Sequence, residues 1–425
     1  MDATEIALQP PKFPKSMELF QRAGEIIPGG IYGHTTPVTT VPGAFPYYAA
    51  SAKGGRYTDI DGNSYIDLMC GYGPIVLGHC HPEVDAAARE RQEQGDCFNH
   101  PSPLMVDLAE RMISLVDIAD WAVFAKNGSD MTTWATQVAR EHTGKRKILK
   151  VAGAYHGTDA WCTPGHGGLI DEDRAQIKNF TWNDSQSVVD TFKDFKDDIA
   201  AVIITPFHHP AFGDSSLPDT EFLKTIRQQC NIEGALFIVD DIRAGFRLHP
   251  GGSHRYFGFE PDMICFCKAM GNGYPISSTV GRSEYKVAAS KVFLTGSYWN
   301  NAVPMAAALK TLEIVERDNV PAHLEKIGQR LFDGLSREGE AKGTPVVCSG
   351  PPAIPFMSFE NDPGFHKMQK FSALCADEGV FFHPHHNWFL CQSHTEADID
   401  ECIEVAGRAM ALLKSERLIE TIAGN

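Results

Sequence analysis

The sequence predicts an α/β protein built around a mostly parallel sheet with helices on both faces. From about residue 105 to 310, short apolar runs alternate with stretches of helical periodicity, a pattern typical of parallel strands joined by helices. The first seventy residues are rich in Pro, Gly and Thr, and the last third shows helix, strand and helix patterns. We therefore expect a large domain at 71–320 and a smaller α+β domain assembled from 1–70 and 321–425.

The elements follow in chain order. An Asp-Gly-Asn turn at 61–63 separates two strand-like segments and predicts a hairpin over 56–67. Helical patterns cover 130–143 and 220–230, and an amphipathic stretch runs over 301–318. Short apolar runs that predict buried strands lie at 122–124, 147–151, 199–204, 236–239 and 263–266.

Composition narrows the classes of function. The chain has 425 residues, of which 43% are hydrophobic and 22% charged, and a formal net charge of −16. No basic cluster is present to bind nucleic acid, so small molecules are the expected ligands. No apolar run is long enough to span a membrane, and the first residues lack the pattern of a secretion signal. The eleven cysteines include no Cys-x-x-Cys pair, which predicts neither a zinc site nor disulfides and favours a reducing cytoplasm.

Two residues near the middle of the chain indicate a chemistry. Asp240 ends an apolar strand, and Lys268 follows the next one between apolar and glycine residues. Ligands of such sheets bind beyond the carboxyl ends of strands. A buried lysine loses its proton easily and can bond to an aldehyde, while a buried carboxylate can keep a pyridine nitrogen protonated. The pair predicts a pyridoxal phosphate (PLP) site; the alternative is a loop-opening aspartate and an ordinary surface lysine.

A second motif predicts where the phosphate binds. Asn127, Gly128 and Ser129 follow a short strand and open a helix. Glycine permits close approach of an anion, and the helix start offers free N–H groups and a favourable dipole. The same residues also fit a plain turn with a helix N-cap.

Further candidates surround these two motifs. Tyr155, next to His156, ends another strand-like element and would stack on a flat ring, and Ile242 would pack against the opposite face. Core packing is the alternative for both Tyr155 and Ile242. Ser297, in a glycine-bounded loop, would either contact phosphate or cap the following helix.

The substrate pocket is less clearly marked. The histidines at 383, 385 and 386 lack the spacing of a zinc site, so we expect no metal there and a loop that borders the pocket. Tyr32, His386 and Trp388 are the expected pocket residues. Arg243 would bind a substrate carboxylate or, as we favour, pair with Asp241 or another acid.

In this order, the motifs resemble the class III aminotransferases among the fold-type I PLP enzymes, over nearly the whole chain. The segments Ile27-Pro-Gly-Gly and Asp59-Ile-Asp-Gly-Asn are similar to the glutamate-1-semialdehyde aminomutase branch. The finer pattern in Asn127-Gly-Ser-Asp, Asp240-Asp-Ile-Arg and Gly296-Ser-Tyr-Trp resembles aminotransferases that deaminate a long-chain amine with pyruvate as acceptor.

This resemblance implies a role for each residue. Lys268 would hold the cofactor covalently and move protons, and Asp240 would face the pyridine nitrogen. Ile242 and Tyr155 would cover the two ring faces. Gly128 and Ser129, with Asn127 and His156 beside them, would bind the cofactor on one subunit. Ser297 would reach the phosphate of the neighbouring subunit, which implies a homodimer with shared sites.

Departures from the family pattern bear on the substrate. The chain has Thr205-Pro206 where relatives have Glu-Pro. The segment Tyr32-Gly-His-Thr-Thr-Pro has no arginine, which, with Tyr32 and Trp388 as pocket walls, favours an apolar amine. We therefore expect an amine:pyruvate aminotransferase that forms alanine by a ping-pong mechanism. The alternatives are an aminomutase or amino-acid epimerase with the same cofactor, and a cofactor-binding protein without catalysis.

Overall fold

A seven-stranded mixed sheet forms the centre of the protein. The computed structural model describes residues 12–33, 47–210 and 213–415. The strands of this part are β1 (Ala49–Lys53), β2 (Arg56–Asp59), β3 (Ser64–Asp67), β4 (Trp121–Ala125), β5 (Lys147–Val151), β6 (Ile177–Phe180), β7 (Ile199–Ile204), β8 (Leu236–Asp240), β9 (Met263–Phe266), β10 (Ser277–Gly281), β11 (Val346–Ser349), β12 (Phe356–Phe359) and β13 (Val380–Phe381).

Helices cover both faces of this sheet and fill the C-terminal third. They are α1 (Pro14–Ile26), α2 (Pro82–Glu93), α3 (Leu104–Leu115), α4 (Gly128–Thr143), α5 (Asp171–Arg174), α6 (Ser185–Asp194), α7 (Thr220–Glu233), α8 (Ser253–Phe257), α9 (Lys286–Lys291), α10 (Ala302–Arg317), α11 (Val320–Lys342), α12 (His366–Asp377) and α13 (Glu396–Ser415). In the described part of the chain, no helix combines the length and apolar character needed to cross a bilayer.

The central sheet has the order β4-β10-β9-β8-β7-β5-β6. Strands β9, β8, β7, β5 and β6 are parallel, and β10 is antiparallel to both of its neighbours. All five predicted strands are present, so the prediction of an α/β fold with a mostly parallel sheet is confirmed. Strands β6 and β10 were not predicted. The sequence of β10 begins Ser-Ser-Thr and has no apolar signal, yet Ser277, Ser278 and Thr279 are fully buried.

Burial on both faces explains why these strands read as continuous apolar runs. Every residue of β7 and β8 is buried, and alternate side chains enter different apolar clusters because a strand has a period of two. Val202, Phe237 and Ile264 belong to one cluster, whereas Ala201, Ile238 and Met263 belong to the other. Each such large apolar side chain contributes about 1.5–3 kcal/mol, so the sheet is a rigid support for the loops at its edge.

A smaller sheet joins distant parts of the chain. The predicted hairpin is present as antiparallel β2 and β3, and the sheet has the order β1-β2-β3-β13. Val380 of β13 pairs with Ile66 of β3 in parallel. This pairing supports a small domain made from both chain ends, while the boundaries at 70 and 320 stay a prediction.

A close helix contact in the C-terminal third can be tested. A Cβ on Gly328 of α11 would lie 1.9 Å from the carbonyl oxygen of Pro352. We expect Gly328→Ala to force the two segments apart and to lower stability by about 1–3 kcal/mol, measured as a lower thermal unfolding midpoint. Gly24→Ala in α1 is the matched control, since nothing lies within 4 Å of that Cβ. Equal midpoints for the two variants would contradict the contact.

Candidate active site

Lys268 lies directly beyond β9 in a strained turn. It opens a 3-10 turn, Lys268–Gly271, with a φ of 42°, a left-handed conformation that is unfavourable for residues with a Cβ. Asn272 holds this turn in place: its Oδ1 accepts the N–H of Leu77 at 2.8 Å, and its Nδ2 donates to the carbonyl of Gly78 at 3.0 Å. The turn is thus fixed against a segment almost two hundred residues away in sequence.

The surroundings of Lys268 favour a neutral amine. Its Nζ lies 5.8 Å from the ring centre of Phe389. A Cβ on Gly73 would come within 2.9 Å of the Phe389 ring and 3.3 Å of Lys268 Cδ, so a glycine is required there. Burial and the positive charge of Arg243 lower the pKa of Lys268 to about 7. A large fraction of the amine is therefore unprotonated at neutral pH, as bond formation to a carbonyl carbon requires.

Asp240 is the carboxylate of the site. It ends β8, is 5% exposed, and its Oδ2 lies 2.8 Å from Nδ1 of His156. Its Oδ1 accepts the N–H of Ile242 at 3.3 Å. The His156 ring lies parallel to that of Trp161, and its Nε2 is sealed from solvent without a hydrogen-bond partner. His156 therefore orients the carboxylate, which retains lone pairs for another donor.

The residues predicted to bind the phosphate lie at the start of α4. Asp130 Oδ2 accepts the N–H of Asn127 at 2.8 Å, which caps a helix of 16 residues. Ser129 Oγ accepts the N–H of Thr158 at 3.0 Å, linking this turn to the segment after Tyr155. The motif is thus both a cap and an exposed helix N-terminus, where the dipole favours an anion.

Two further candidates lie beside the cradle. A Cβ on Gly128 would come within 2.5 Å of Ile242 Cδ1, so Ile242 lies against the start of α4. Tyr155 is 43% exposed, and it lies close enough to Asp240 and Arg243 for their charges to affect its pKa. An open aromatic face and a branched aliphatic side chain are thus present at one edge of the sheet, although their stacking roles stay predictions.

The structure changes the interpretation of Trp388 and Ser297. Trp388 is completely buried and its Nε1 donates to the carbonyl of His383 at 2.9 Å, so it supports the loop from inside and is not a wall of the pocket. Helix α10 begins at Ala302 with Asn301 as its N-cap, so Ser297 does not cap it. Ser297 is exposed and its carbonyl accepts the thiol of Cys97.

Tyr32 is the remaining predicted pocket residue. It is 76% exposed, near the end of the first described segment. Residues 34–46, which continue the predicted His-Thr-Thr-Pro stretch, lie outside the described residues. Its place in the pocket stays a prediction.

For Arg243 an ion pair with Asp241 or another acid was favoured over binding of a substrate carboxylate, and this ion pair is absent from the described part of the chain. Asp241 is buried, and both of its oxygens accept hydrogen bonds from Ser253, from the N–H at 2.8 Å and from the hydroxyl. Arg243 instead donates to Oδ1 of Asn387. Burial lowers the pKa of Arg243 to about 10, so the guanidinium remains charged at neutral pH.

Neutral histidines adjoin Arg243. Burial and the charge of Arg243 lower the pKa of both His386 and His209 well below the usual range. His386 lies edge-on to Tyr72, with ring centres 5.2 Å apart, while Nε2 of His209 is sealed from solvent without a partner. His386 thus lies near Arg243, and its place in the substrate pocket stays a prediction.

The sequence reasoning missed His209, Asn387 and Phe389. His209 lies in the loop that follows β7, five residues beyond its last residue Ile204, so the strand-end rule extended to that loop would have indicated it. No sequence signal marks Asn387 or Phe389, because their partners Arg243 and Lys268 are far away in the chain.

A buried cluster of metal-binding residue types lies behind the site. One ligand atom each from Cys70, Cys391 and His394 lies within 4.8 Å of the others. Both ring nitrogens of His394 are already engaged: Nδ1 accepts the N–H of Cys391 at 3.1 Å, and Nε2 donates to the carbonyl of Gly55 at 3.2 Å. The ring has no lone pair left for a metal ion, and we assign none.

The arrangement of a buried lysine, a carboxylate and an anion cradle along one sheet edge defines a PLP enzyme of fold-type I. The family described as aminotransferase class-III matches residues 40–404. The chain belongs to this family and is a PLP-dependent aminotransferase, which sets aside the reading of a binding protein without catalysis.

Curated relatives cover almost the whole chain. An aminopentol aminotransferase from Sphingopyxis macrogoltabida is 43% identical over 93% of this chain and 94% of its own. A 3-aminobutyryl-CoA aminotransferase from Cloacimonas acidaminovorans is 36% identical, covering 95% and 98%. A glutamate-1-semialdehyde 2,1-aminomutase from Methanopyrus kandleri is 32% identical, covering 94% and 98%.

Solved structures show the same fold. The PLP form of the FumI protein from Sphingopyxis sp. MTA144 has a TM-score of 0.92 and 42% identity, covering 93% of this chain and 96% of its own. An omega-transaminase from Sphaerobacter thermophilus has a TM-score of 0.85 at 21% identity, covering 94% and 98%, and this likeness concerns the fold alone.

The residues present fit PLP. Gly128 has no side chain, and a Cβ there would collide with Ile242. Lys268 offers an amine with a lowered pKa. Asp240 offers a buried carboxylate. When bound, PLP supplies an electron sink for the substrate carbon and stores the amino group between substrates.

The low pKa of Lys268 can be measured without cofactor. In cofactor-free protein with lysines dimethylated by ¹³C-formaldehyde, we expect the Lys268 resonance to titrate near pH 7, protonated below and neutral above. Lys268→Ala identifies the signal, because the resonance disappears in that variant. Arg243→Met should raise the pKa of Lys268, because it removes a nearby positive charge. Titration of Lys268 near pH 10 would contradict the described burial.

The cradle can be tested through cofactor affinity. Gly128→Ala should press on Ile242 and weaken PLP binding by roughly tenfold or more, measured by titrating cofactor-free protein and following fluorescence. Gly167→Ala, in an exposed loop with nothing within 4 Å of the new Cβ, is the control and should bind normally. Unchanged affinity in the Gly128 variant would argue against this location for the phosphate.

Proposed function

We propose that this aminotransferase moves the amino group of an apolar primary amine to pyruvate and releases alanine. The observation that carries the proposal is the pairing, within one site, of a largely neutral Lys268 amine with a charged Arg243 whose guanidinium forms no ion pair with a carboxylate among the described residues. Such a site suits two substrates in turn, an amine without a carboxylate and an acceptor with one. The 43% identical relative named as an aminopentol aminotransferase supports an amine donor.

Each residue of the site has a proposed task. Lys268 Nζ would hold the cofactor in the resting enzyme. Once the substrate amine has displaced it, its neutral amine would take a proton from the substrate carbon and pass that proton to the bound cofactor. Asp240, oriented by His156, keeps a proton on the pyridine nitrogen. Asn127, Gly128 and Ser129 bind the phosphate at the start of α4.

The same residues serve the two half-reactions, one after the other. The carbonyl product of the amine leaves before pyruvate enters, so the mechanism is ping-pong. In the second half-reaction, Lys268 delivers the proton to the carbon that becomes Cα of alanine. Tyr155 and Ile242 are the proposed walls on the two ring faces, with Tyr32 and His386 bordering the space for the amine.

We further propose a homodimer in which Ser297 contacts the phosphate bound by the partner. Ser297 is exposed, and so are its neighbours Phe293 and Tyr298, at 85% and 66%. Large exposed apolar side chains close together are typical of a protein interface. A cytoplasmic location stays a prediction from composition.

An aminomutase or epimerase on the same cofactor is the second candidate, and the 32% identical aminomutase supports it. It differs in needing no acceptor, since the amino group returns to the same molecule. Activity without a 2-oxo acid would therefore decide for it.

The proposal is tested by incubating the holoenzyme with a panel of long-chain and short primary amines and pyruvate, and measuring alanine. We expect alanine only when both substrates are present, and a loss of at least about 10³-fold in Lys268→Ala. Lys326→Ala, at an exposed surface position, is the matched control and should keep the wild-type rate. No alanine from any amine, or product without pyruvate, would overturn the proposal.

A further inference from the structure

Arg243 has hydrogen-bond donors that could bind a ligand. Arg243 is half-buried, and in the described part of the chain it enters no ion pair. Its side chain donates to Oδ1 of Asn387, although a guanidinium carries five N–H donors. The nearby carboxylates are engaged elsewhere, Asp240 with an imidazole and Asp241 with a serine, each at 2.8 Å. Donors of Arg243 are therefore left for a ligand.

The neighbouring arginine shows the contrast. Arg247 is fully buried, and its N–H groups donate to the carbonyl of Gly73 at 2.6 Å, to that of Ile75 at 3.1 Å and to that of Leu390. Backbone carbonyls thus occupy Arg247, and its task is to join segments of the fold. Arg243, four residues earlier, has no such set of carbonyl partners among the residues that the structure describes.

The groups around Arg243 are mostly neutral. His209 and His386 are neutral imidazoles at ordinary pH because burial and the charge of Arg243 disfavour their protonation. Lys268 lies close enough for the charge of Arg243 to lower its pKa. The charge of Asp240 also acts on Arg243, but the oxygens of Asp240 accept hydrogen bonds from His156 and from the N–H of Ile242. A fixed positive charge therefore lies next to the reactive amine, and the neutral imidazoles beside it do not compete for an anion.

We propose that Arg243 binds the carboxylate of the 2-oxo acid acceptor and that Asn387 is a positioning residue that holds the guanidinium ready for it. The inference rests on the proposed function and adds the group that selects the acceptor. A guanidinium fork matches a carboxylate with two parallel hydrogen bonds. An apolar amine offers nothing to this fork, and the amide of Asn387 keeps it bonded while the amine occupies the site. Acceptors should be 2-oxo monocarboxylic acids in preference to aldehydes and ketones.

The test compares two small acceptors in the same enzyme. With the holoenzyme, kcat/KM is measured for pyruvate and for propanal, which lacks the carboxylate. In Arg243→Met we expect the ratio of pyruvate to propanal to fall by at least about 30-fold. In Arg243→Lys the ratio should fall less, because an ammonium group keeps the positive charge but not the two parallel N–H donors of the guanidinium. Asn387→Ala should raise KM for pyruvate more than KM for propanal.

A matched control and a binding measurement complete the test. Arg330→Met removes a partly exposed guanidinium of α11 that pairs with Asp400, and its acceptor ratio should equal that of the wild type. Calorimetry with oxamate, an unreactive analogue of pyruvate, should show affinity reduced at least tenfold in Arg243→Met, whatever its turnover.

Failure of this inference and of the proposed function can be told apart. If wild-type enzyme uses pyruvate but Arg243→Met keeps both its acceptor ratio and its oxamate affinity, Arg243 is not the carboxylate site. If wild-type enzyme rejects pyruvate but uses another 2-oxo acid, the proposed acceptor is wrong, and the same ratio is measured with that acid. If only uncharged carbonyl compounds accept the amino group, the proposed function and the inference about Arg243 are both wrong.

Discussion

The site depends on the desolvation of one amine. An ammonium group loses favourable hydration when buried, so its pKa falls, and Lys268 is held where this happens, between Phe389 and the bare backbone of Gly73. Its left-handed backbone is unfavourable by itself and persists because Asn272 ties the turn to Leu77 and Gly78. Strands buried on both faces make the support rigid enough to maintain that strain.

Local charge in the site is opposite to the charge of the whole protein. The chain carries a net charge of −16, yet Arg243, Arg247 and the start of α4 are gathered at one edge of the sheet, with Asp240 as the balancing carboxylate. An anionic cofactor and an anionic acceptor are attracted by this local field, which low-dielectric walls strengthen. The positive charges have different partners, since Arg247 is occupied by carbonyls and Arg243 by a single amide.

Much of the fold could be predicted from the sequence. Strands at 147–151, 199–204 and 263–266 have the predicted bounds, because a strand buried on both faces must be apolar throughout. Strand β10 was not predicted because its sequence lacks an apolar run. Small hydroxyl side chains begin this strand, which is buried between β4 and β9. The prediction that the cysteines form no metal site was based on their spacing in the sequence. Spacing cannot show that Cys70 and Cys391 lie close together in the folded chain.

The sequence by itself determined the reaction class. Asp240 ends a strand, and Lys268 and Gly128 lie two and three residues beyond one. Parallel strands bring their carboxyl ends to one edge, so local order sufficed to place these residues together. Tertiary structure alone decided that Trp388 is internal, that Arg243 is bonded to Asn387 and not to Asp241, and that His209 joins the site. These contacts join residues far apart in the chain, and they depend on how loops pack across the sheet edge, which no local pattern records.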